Sequence, residues 1–514
     1  MSLSYDDLME ALPARSDRRR AWRRARSSVA ALTGEGAPRT VEVTSPPVSA
    51  SPPGLRGGGL VTKRRSHRYA GKNVEWVELG PRTQLATFLE RRVGRDADRV
   101  YVLGGVPGGG GIDKLRAWVF GRLPRGWAAG THYLDDTAAP VLRFTRPDGR
   151  ALDVYRASQW FGDDPVTPAA AAEAWSMVHG LLTGAFGCGA LATPGTTGRE
   201  LFARSIPRGV EWPVLDDEHQ DLIRSTSGQG RIEACPAVER VSRVVELDGR
   251  LMYAALCGEL GGGPIRTHDD GDEFLGYEPA RYRVKFVVPV DWAHVGILPV
   301  KNDAGGWSYP AEPGTAWETW ADGAELKIAY DHGWPILIQE RLVLTKGRPL
   351  DNWAKTLGGI ATDHQDKPLV RSALRAILLH AIGAFHGRPH TVTRTVTSED
   401  SRKIPAGVRD VQQIAGGRLV WQEQQAPAWP EMAHPEWSAR VWARARARLL
   451  VSPGGGGVLN VPRQHVLGFL TDAVYLDCDP AWPDDGRPGQ FRVKNDLTVD
   501  AAAPRTHLDL VRMR

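Results

Sequence analysis

LDGRLMYAAL, residues 247–256, follows a short apolar run and sets a carboxylate where a strand gives way to a tight turn. Val245 and Leu247 share one side of that strand and are expected in a core. Asp248 falls on the opposite side, because successive strand residues alternate. Downstream, VLGFLTDAVYL, residues 466–476, reads as two apolar strands joined at Thr471 and Asp472, a hairpin with an acid at its tip. An acid at a strand end beside a tight turn suits magnesium, which is commonly held by one or two carboxylates plus phosphate oxygens.

Working outward from these two acids, SGQGRIE, residues 227–233, is a glycine loop in which Gly228 and Gly230 let the backbone approach a phosphate and Arg231 can supply charge. Residues 281–290 read as a strand, a helix is expected over 320–330, and a further strand over 334–343. In the helix expected from Leu369 to Phe385, Val370, Ala373, Leu374, Ile377, Leu378, Ala381 and Ile382 recur at helical spacing and form a buried stripe. Arg371 and Arg375 sit one turn apart on its other face. WSARVWARARARLL, residues 437–450, is a second helix, and GQFRVK, residues 489–494, is a basic strand carrying Arg492 and Lys494.

Upstream, residues 1–32 form a basic arm with arginines around Trp22. Residues 33–66 are a linker rich in Pro, Gly and Ser, and residues 67–215 are a mixed α/β region with strands at 74–79 and 100–103. An alanine-rich helix begins at Pro168. The 514 residues exceed one compact core. A formal charge of +5 is compatible with nucleic-acid binding without demanding it. The glycine run 108–111 lacks the Lys-Ser/Thr ending of a phosphate loop. Cys188, Cys235, Cys257 and Cys478 have no metal-type spacing, which with the absence of a signal-like N-terminus predicts a reduced, cytoplasmic protein. No run of 18 or more apolar residues calls for a membrane. The acidic run 267–273 reads as a solvated loop, and His386 and His390 as structural.

Taken in order, these stretches resemble the protein-primed family B DNA polymerases. Residues 227–233 are similar to the glycine motif that touches template, and residues 247–256 to motif A, D-x-x-S-L-Y-P, with Asp248 and Tyr253 in register and Leu251 and Ala254 as departures. The palm segment after motif A is similar to residues 281–290, 317–344 and 349–357. Motif B, K-x-x-x-N-S-x-Y-G, places Arg375 at the lysine and Gly383 at the glycine, with Leu379, His380 and Ile382 departing. Motif C, Y-x-D-T-D-S, falls on the hairpin with Asp472 as its second acid and Leu470 in place of the first. A rival register at Asp477 and Asp479 keeps both acids but runs directly into prolines, which a central strand excludes.

The resemblance implies an α/β multidomain fold: an RNase H-like exonuclease-type domain over 67–215, then polymerase palm and fingers over 216–514 with a reduced thumb. It implies Mg2+ or Mn2+ held by Asp248, Gly249 and Asp472, with Asp248 and Asp472 catalytic. Tyr253, Arg375 and Arg371 bind nucleotide, and Gly228, Gly230, Arg231, Arg492 and Lys494 bind DNA. The partners implied are template and primer DNA, dNTPs and a terminal protein, with the chain itself a monomer. Exonuclease carboxylates are sought near Glu75, Glu78 and Asp113, whereas the stretch 175–179 has lost its aspartate, so no proofreading is expected. Leu470 removes one formal charge from the polymerase site, which leaves a second class open: a non-catalytic DNA-binding protein on a polymerase scaffold. An unrelated α/β protein is the third reading, distinguished by Asp248 and Asp472 lying far apart.

Overall fold

The computed structural model describes residues 40–41, 61–69, 72–80, 83–91, 96–104, 123–129, 142–162, 166–207, 210, 212–268, 274, 279–302, 305–387, 390–397, 402, 404, 411–414, 418–425 and 432–513. The basic arm, nearly all of the linker up to residue 60, the glycine run, Asp113 and the acids at 269–273 lie outside these residues. The chain divides into two compact units, Met1–Gly180 with Thr391–Glu423, and Leu181–His390 with Gln424–Arg514.

The first unit is built on a seven-stranded sheet of β1 (Thr40–Val41), β2 (Val61–Tyr69), β3 (Lys72–Leu79), β4 (Arg99–Leu103), β5 (Ala128–Ala129), β6 (Leu142–Thr145) and β7 (Ala151–Arg156), in the order β1-β2-β3-β4-β7-β6-β5. Strands β3, β4 and β7 are parallel, with Trp76 beside Tyr101 and Tyr101 beside Tyr155. On one side, Val77, Leu79, Val100, Val102 and Val154 pack with Phe88 and Leu89 of α1 (Leu85–Glu90). The other side is aromatic. Trp76 stacks on Tyr101 with centroids 4.3 Å apart, and Tyr101 on Tyr155 at 5.3 Å. A short α2 (Ser158–Phe161) adds Trp160 and Phe161 to this side, and α3 (Pro168–Phe186) adds Trp175, 6.5 Å from Trp76.

The second unit opens with α4 (Pro194–Ser205), which the sequence reading placed upstream of a boundary at 215; it packs within this unit. There follow α5 (Asp217–Thr226), β8 (Arg231–Ala234), β9 (Arg240–Gly249), α6 (Met252–Ala255), β10 (Gly262–His268), β11 (Ala280–Val287), β12 (Val300–Lys301), β13 (Trp307–Ser308), β14 (Ala316–Asp322), α7 (Gly323–Asp331), β15 (Ile336–Thr345), α8 (Asp351–Asp363) and α9 (Pro368–Phe385). After α9 comes a three-stranded sheet of β16 (His390–Thr397), β17 (Gln412–Ile414) and β18 (Arg418–Gln425), nearly all of which is counted with the first unit. The chain then runs through α10 (Pro435–Leu450), β19 (Val466–Thr471), β20 (Ala473–Leu476), β21 (Phe491–Ala502) and α11 (His507–Arg512).

The helix expected over 320–330 starts three residues late, residues 320–322 being strand. Residues 316–322 pair antiparallel with β11, and the helix starts only at Gly323. Asp322 accepts from the Ala324 N–H while Glu325 reaches back to the Asp322 N–H, so paired donors at the helix start fix the boundary. Helix α9 is long and apolar enough to cross a membrane by length and composition, a feature the sequence reading passed over. Its apolar stripe is buried in the second unit, from Val370 to Phe385, with Arg371 and Arg375 half-buried beside it.

The sheet that matters for chemistry has five antiparallel strands in the order β21-β9-β20-β19-β8. The glycine loop leads into one edge strand, the acid-tipped hairpin forms the middle, and β9 lies between the hairpin and the basic strand β21. Residues from widely separated stretches are therefore neighbours through the ladder.

Candidate active site

In the ladder Asp248 lies opposite Ala473 of β20 on one side and opposite Arg492 of β21 on the other. Asp472 occupies the tip between β19 and β20, one residue from that pairing. The two acids therefore converge, and both are buried. Arg375 reaches them from α9: its Nη2 donates to Asp248 Oδ1 and to Asp472 Oδ2, each at 2.9 Å. Arg492 Nη2 donates to Asp248 Oδ2 at 3.4 Å, and Thr471 Oγ1 to Asp472 Oδ1 at 3.1 Å. The Gly249 N–H donates to the Asp472 carbonyl at 3.1 Å, which ties the end of β9 to the hairpin tip.

Backbone strain marks both acids. Leu251, three residues past Asp248, has φ +41°, and Thr471, immediately before Asp472, has φ +59°. Such conformations are costly for non-glycine residues and persist only where surrounding structure imposes them. Burial pushes the Asp472 carboxyl above the usual carboxylate range; Arg375 pulls it back, and Asp248 adds to the rise. Burial alone would lower the Arg375 guanidinium, but Asp472 and Asp248 hold it above its ordinary value. Arg371, one turn away, is lowered by burial and by the like charges of Arg492, Arg250 and Arg375. Arg250 is itself paired in a fork with Asp484, at 2.9 and 2.6 Å. Tyr253 is buried in α6, its hydroxyl raised by burial and by Asp472.

The donor set fits a hard cation. The two carboxylate oxygens are each 2.9 Å from one shared point, and oxygen donors are what Mg2+ and Mn2+ take. That shared point is held by Arg375, so a cation and Arg375 cannot occupy it together.

Other expected residues have different surroundings. Arg231 is fully buried between the rings of Tyr309 and Phe469, its carbon 4.0 and 4.1 Å from their centroids. It donates to Glu233 and, at 2.9 Å, to the Gly296 carbonyl. Its guanidinium is thus spent inside the fold, and the expectation that it meets a DNA phosphate is corrected. Lys494 pairs with the buried Glu246 at 3.2 Å, and Arg492 with Asp248 as above. Leu470 packs with Val241, Val244, Leu467, Tyr475 and Leu510, so a carboxylate there would enter that core. The lost charge inferred from motif C therefore concerns the apolar cluster. In the rival register, Asp477 sits at the far end of the hairpin, 2.6 Å from His465 Nδ1. His386 meets Ser227 Oγ at 3.1 Å, while the side chain of His390 lies outside the described residues.

The glycine loop is held by a residue that motif reading missed. Arg446 of α10 is fully buried; it pairs with Glu325 at 2.7 and 3.1 Å and donates to the Gly228 and Gln229 carbonyls at 2.9 and 2.6 Å. Arg440 of this helix also points inward, meeting Asp322 at 3.1 Å. The available signal was the spacing of the arginines on a helix whose remaining positions are almost all apolar. A Cβ on Gly228 would come within 3.1 Å of the Trp307 ring, and one on Gly230 within 2.9 Å of Thr471 Cα. Gly230→Ala must therefore shift the backbone beside Asp472. It is expected to cost about 1–3 kcal/mol, as overpacking does, read as a lower unfolding midpoint. A midpoint unchanged from wild type would show that the loop is not pressed against the hairpin.

No protein-family model and no curated protein matches the chain. Solved structures do. "Phi29 DNA polymerase complexed with single-stranded DNA" superposes with a TM-score of 0.53 at 11% identity, over 86% of this chain and 84% of that one. The chain shares the phi29 DNA polymerase fold. Two other structures of that enzyme align less fully: the orthorhombic crystal form at a TM-score of 0.49 and 12% identity, over 68% of this chain and 66% of that one, and a primer-template complex at 0.49 and 12%, over 70% and 68%. At these identities the likeness is one of fold.

Proposed function

We propose that this chain is a divergent protein-primed family B DNA polymerase, serving replication of a phage, plasmid or other mobile element. The observation that carries the proposal is the convergence of Asp248 and Asp472, from two separate β-elements, beneath Arg375 of a facing helix. Bound Mg2+ or Mn2+ would supply Lewis-acid activation of the attacking and leaving oxygens. Asp248 and Asp472 would hold the ion, with Gly249 keeping the strand end against the hairpin tip. Arg375 and Arg371 bind the triphosphate, a guanidinium being suited to paired phosphate oxygens. Tyr253, buried beside Asp472, forms the floor under the sugar. Gly228 and Gly230 bring backbone close to the template, with Arg446 fixing the loop. Arg492 and Lys494 line the primer side in this reading, each anchored by an acid. The partners are primer-template DNA, dNTPs and a terminal protein, and the working form is a monomer.

Proofreading is absent in this reading. Glu75 and Glu78 are three apart on β3 and so face opposite sides of the sheet, unable to serve one metal pair. The side bearing Trp76, Tyr101 and Trp175 is filled with rings.

A second reading draws on the same site: a guanidinium standing between two acids is a complete ion-pair network, as a non-catalytic DNA-binding scaffold would have. Primer extension by the full chain with Mg2+ or Mn2+, alongside DNA binding at two salt concentrations, separates the two. Extension is expected. Salt-sensitive binding with no extension under any condition would leave only the scaffold.

A further inference from the structure

The acid pair is already neutralised from within the protein. Asp248 and Asp472 face Arg375 and Arg492, two negative charges against two positive. Arg371 adds a further guanidinium that makes no ion pair among the described residues, close enough to Arg375, Arg492 and Arg250 to feel their charge and to Asp248 to be attracted by it. A divalent ion arriving alone would bring unmatched positive charge into a buried site and would meet Arg375 at the point both acids share. Uncompensated buried charge is strongly unfavourable.

A triphosphate reverses this balance. It carries more negative charge than one divalent ion cancels, and its paired oxygens suit a guanidinium better than two carboxylates that share one of its nitrogens. Arg375 is also the member able to move: its side chain is 31% exposed, whereas those of Asp248 and Asp472 are 5% and 7% exposed. Its flexible stem runs from a helix face bordering solvent, while the acids are fixed by the sheet.

We propose that Arg375 is a resident counter-ion that keeps free divalent ions out, so that the Asp248–Asp472 pair accepts metal only together with a triphosphate that draws Arg375 onto its phosphates. Metal and nucleotide then load as one unit. This rests on the nucleotide-site reading above, but it is tested by binding.

The experiment is equilibrium dialysis of Mn2+ against the full chain, counting only binding lost in Asp248→Asn. Wild type is measured with Mn2+ alone and with Mn2+ plus a non-hydrolysable deoxynucleoside triphosphate analogue, and Arg375→Met with Mn2+ alone. Wild type with Mn2+ alone is expected to show no Asp248-dependent binding, and the analogue to create it. Arg375→Met is expected to bind Mn2+ without the analogue at least about tenfold more tightly than wild type, an affinity difference of about 1.4 kcal/mol. If Arg375→Met does not fold, the two wild-type arms decide alone. Equal Asp248-dependent binding by wild type with and without the analogue overturns the proposal, as does none in either arm. Joint loading without primer extension would sink the polymerase reading and leave this inference standing; extension accompanied by tight binding of Mn2+ alone would do the reverse.

Discussion

Asp248→Asn is expected to lower the rate of primer extension by about a thousandfold or more while leaving affinity for primer-template DNA within about threefold. Each factor of ten corresponds to about 1.4 kcal/mol of transition-state stabilisation, and removing a charged ligand from a site with two carboxylates asks for about three such factors. Asparagine keeps the shape and an acceptor for Arg375, so the change is in charge, and β9 stays clamped between β20 and β21. Single-turnover extension, with unfolding midpoints to verify the fold, is the measurement. A variant within tenfold of wild type would remove Asp248 from the chemistry.

The second large effect concerns stability. Arg446→Met leaves Glu325 buried without its partner and releases the Gly228 and Gln229 carbonyls from their donor. Breaking a buried pair from one side costs about 3–5 kcal/mol, whereas replacing both partners by apolar groups is often nearly neutral. The double variant Arg446→Met with Glu325→Leu is therefore expected to recover part of the loss, the share due to the unpaired carboxylate, while the Gly228 and Gln229 carbonyls and the Asp322 N–H stay without their partners. Calorimetric transitions of wild type, both single variants and the double variant give the coupling directly. Additive single losses would mean that the two side chains are not acting as a pair.

The acid pair was legible because strand alternation and a hairpin with an acid at its tip are local properties, readable from a few residues. The helical face of Arg375 was legible for the same reason, from the spacing of the apolar stripe. What each arginine meets is not local. Arg231 is taken up by Tyr309 and Phe469, and Arg446 by Glu325 and the glycine loop, partners far away in the chain and brought near only by folding. By residue type Arg231 looked like a phosphate-binding cation, and Arg446 was only one position of a helix. Leu470 shows the same limit in reverse: matched letter by letter it is a missing acid, yet its strand position turns it toward Val244 and Leu510. The misplaced boundary of α7 arose because tryptophan and threonine at 317–320 fit either a strand or a helix start until pairing with β11 chose between them.

In the proposed function two β-borne carboxylates and a helix-borne arginine join a nucleotide to a primer under instruction from a template. Single-nucleotide incorporation by the full chain, opposite each of the four templating bases in turn, tests it most directly. The complementary dNTP is expected to be added in preference to the other three at every template base, and addition to disappear in Asp472→Asn. Addition indifferent to the templating base, or none by wild type while DNA remains bound, would contradict it.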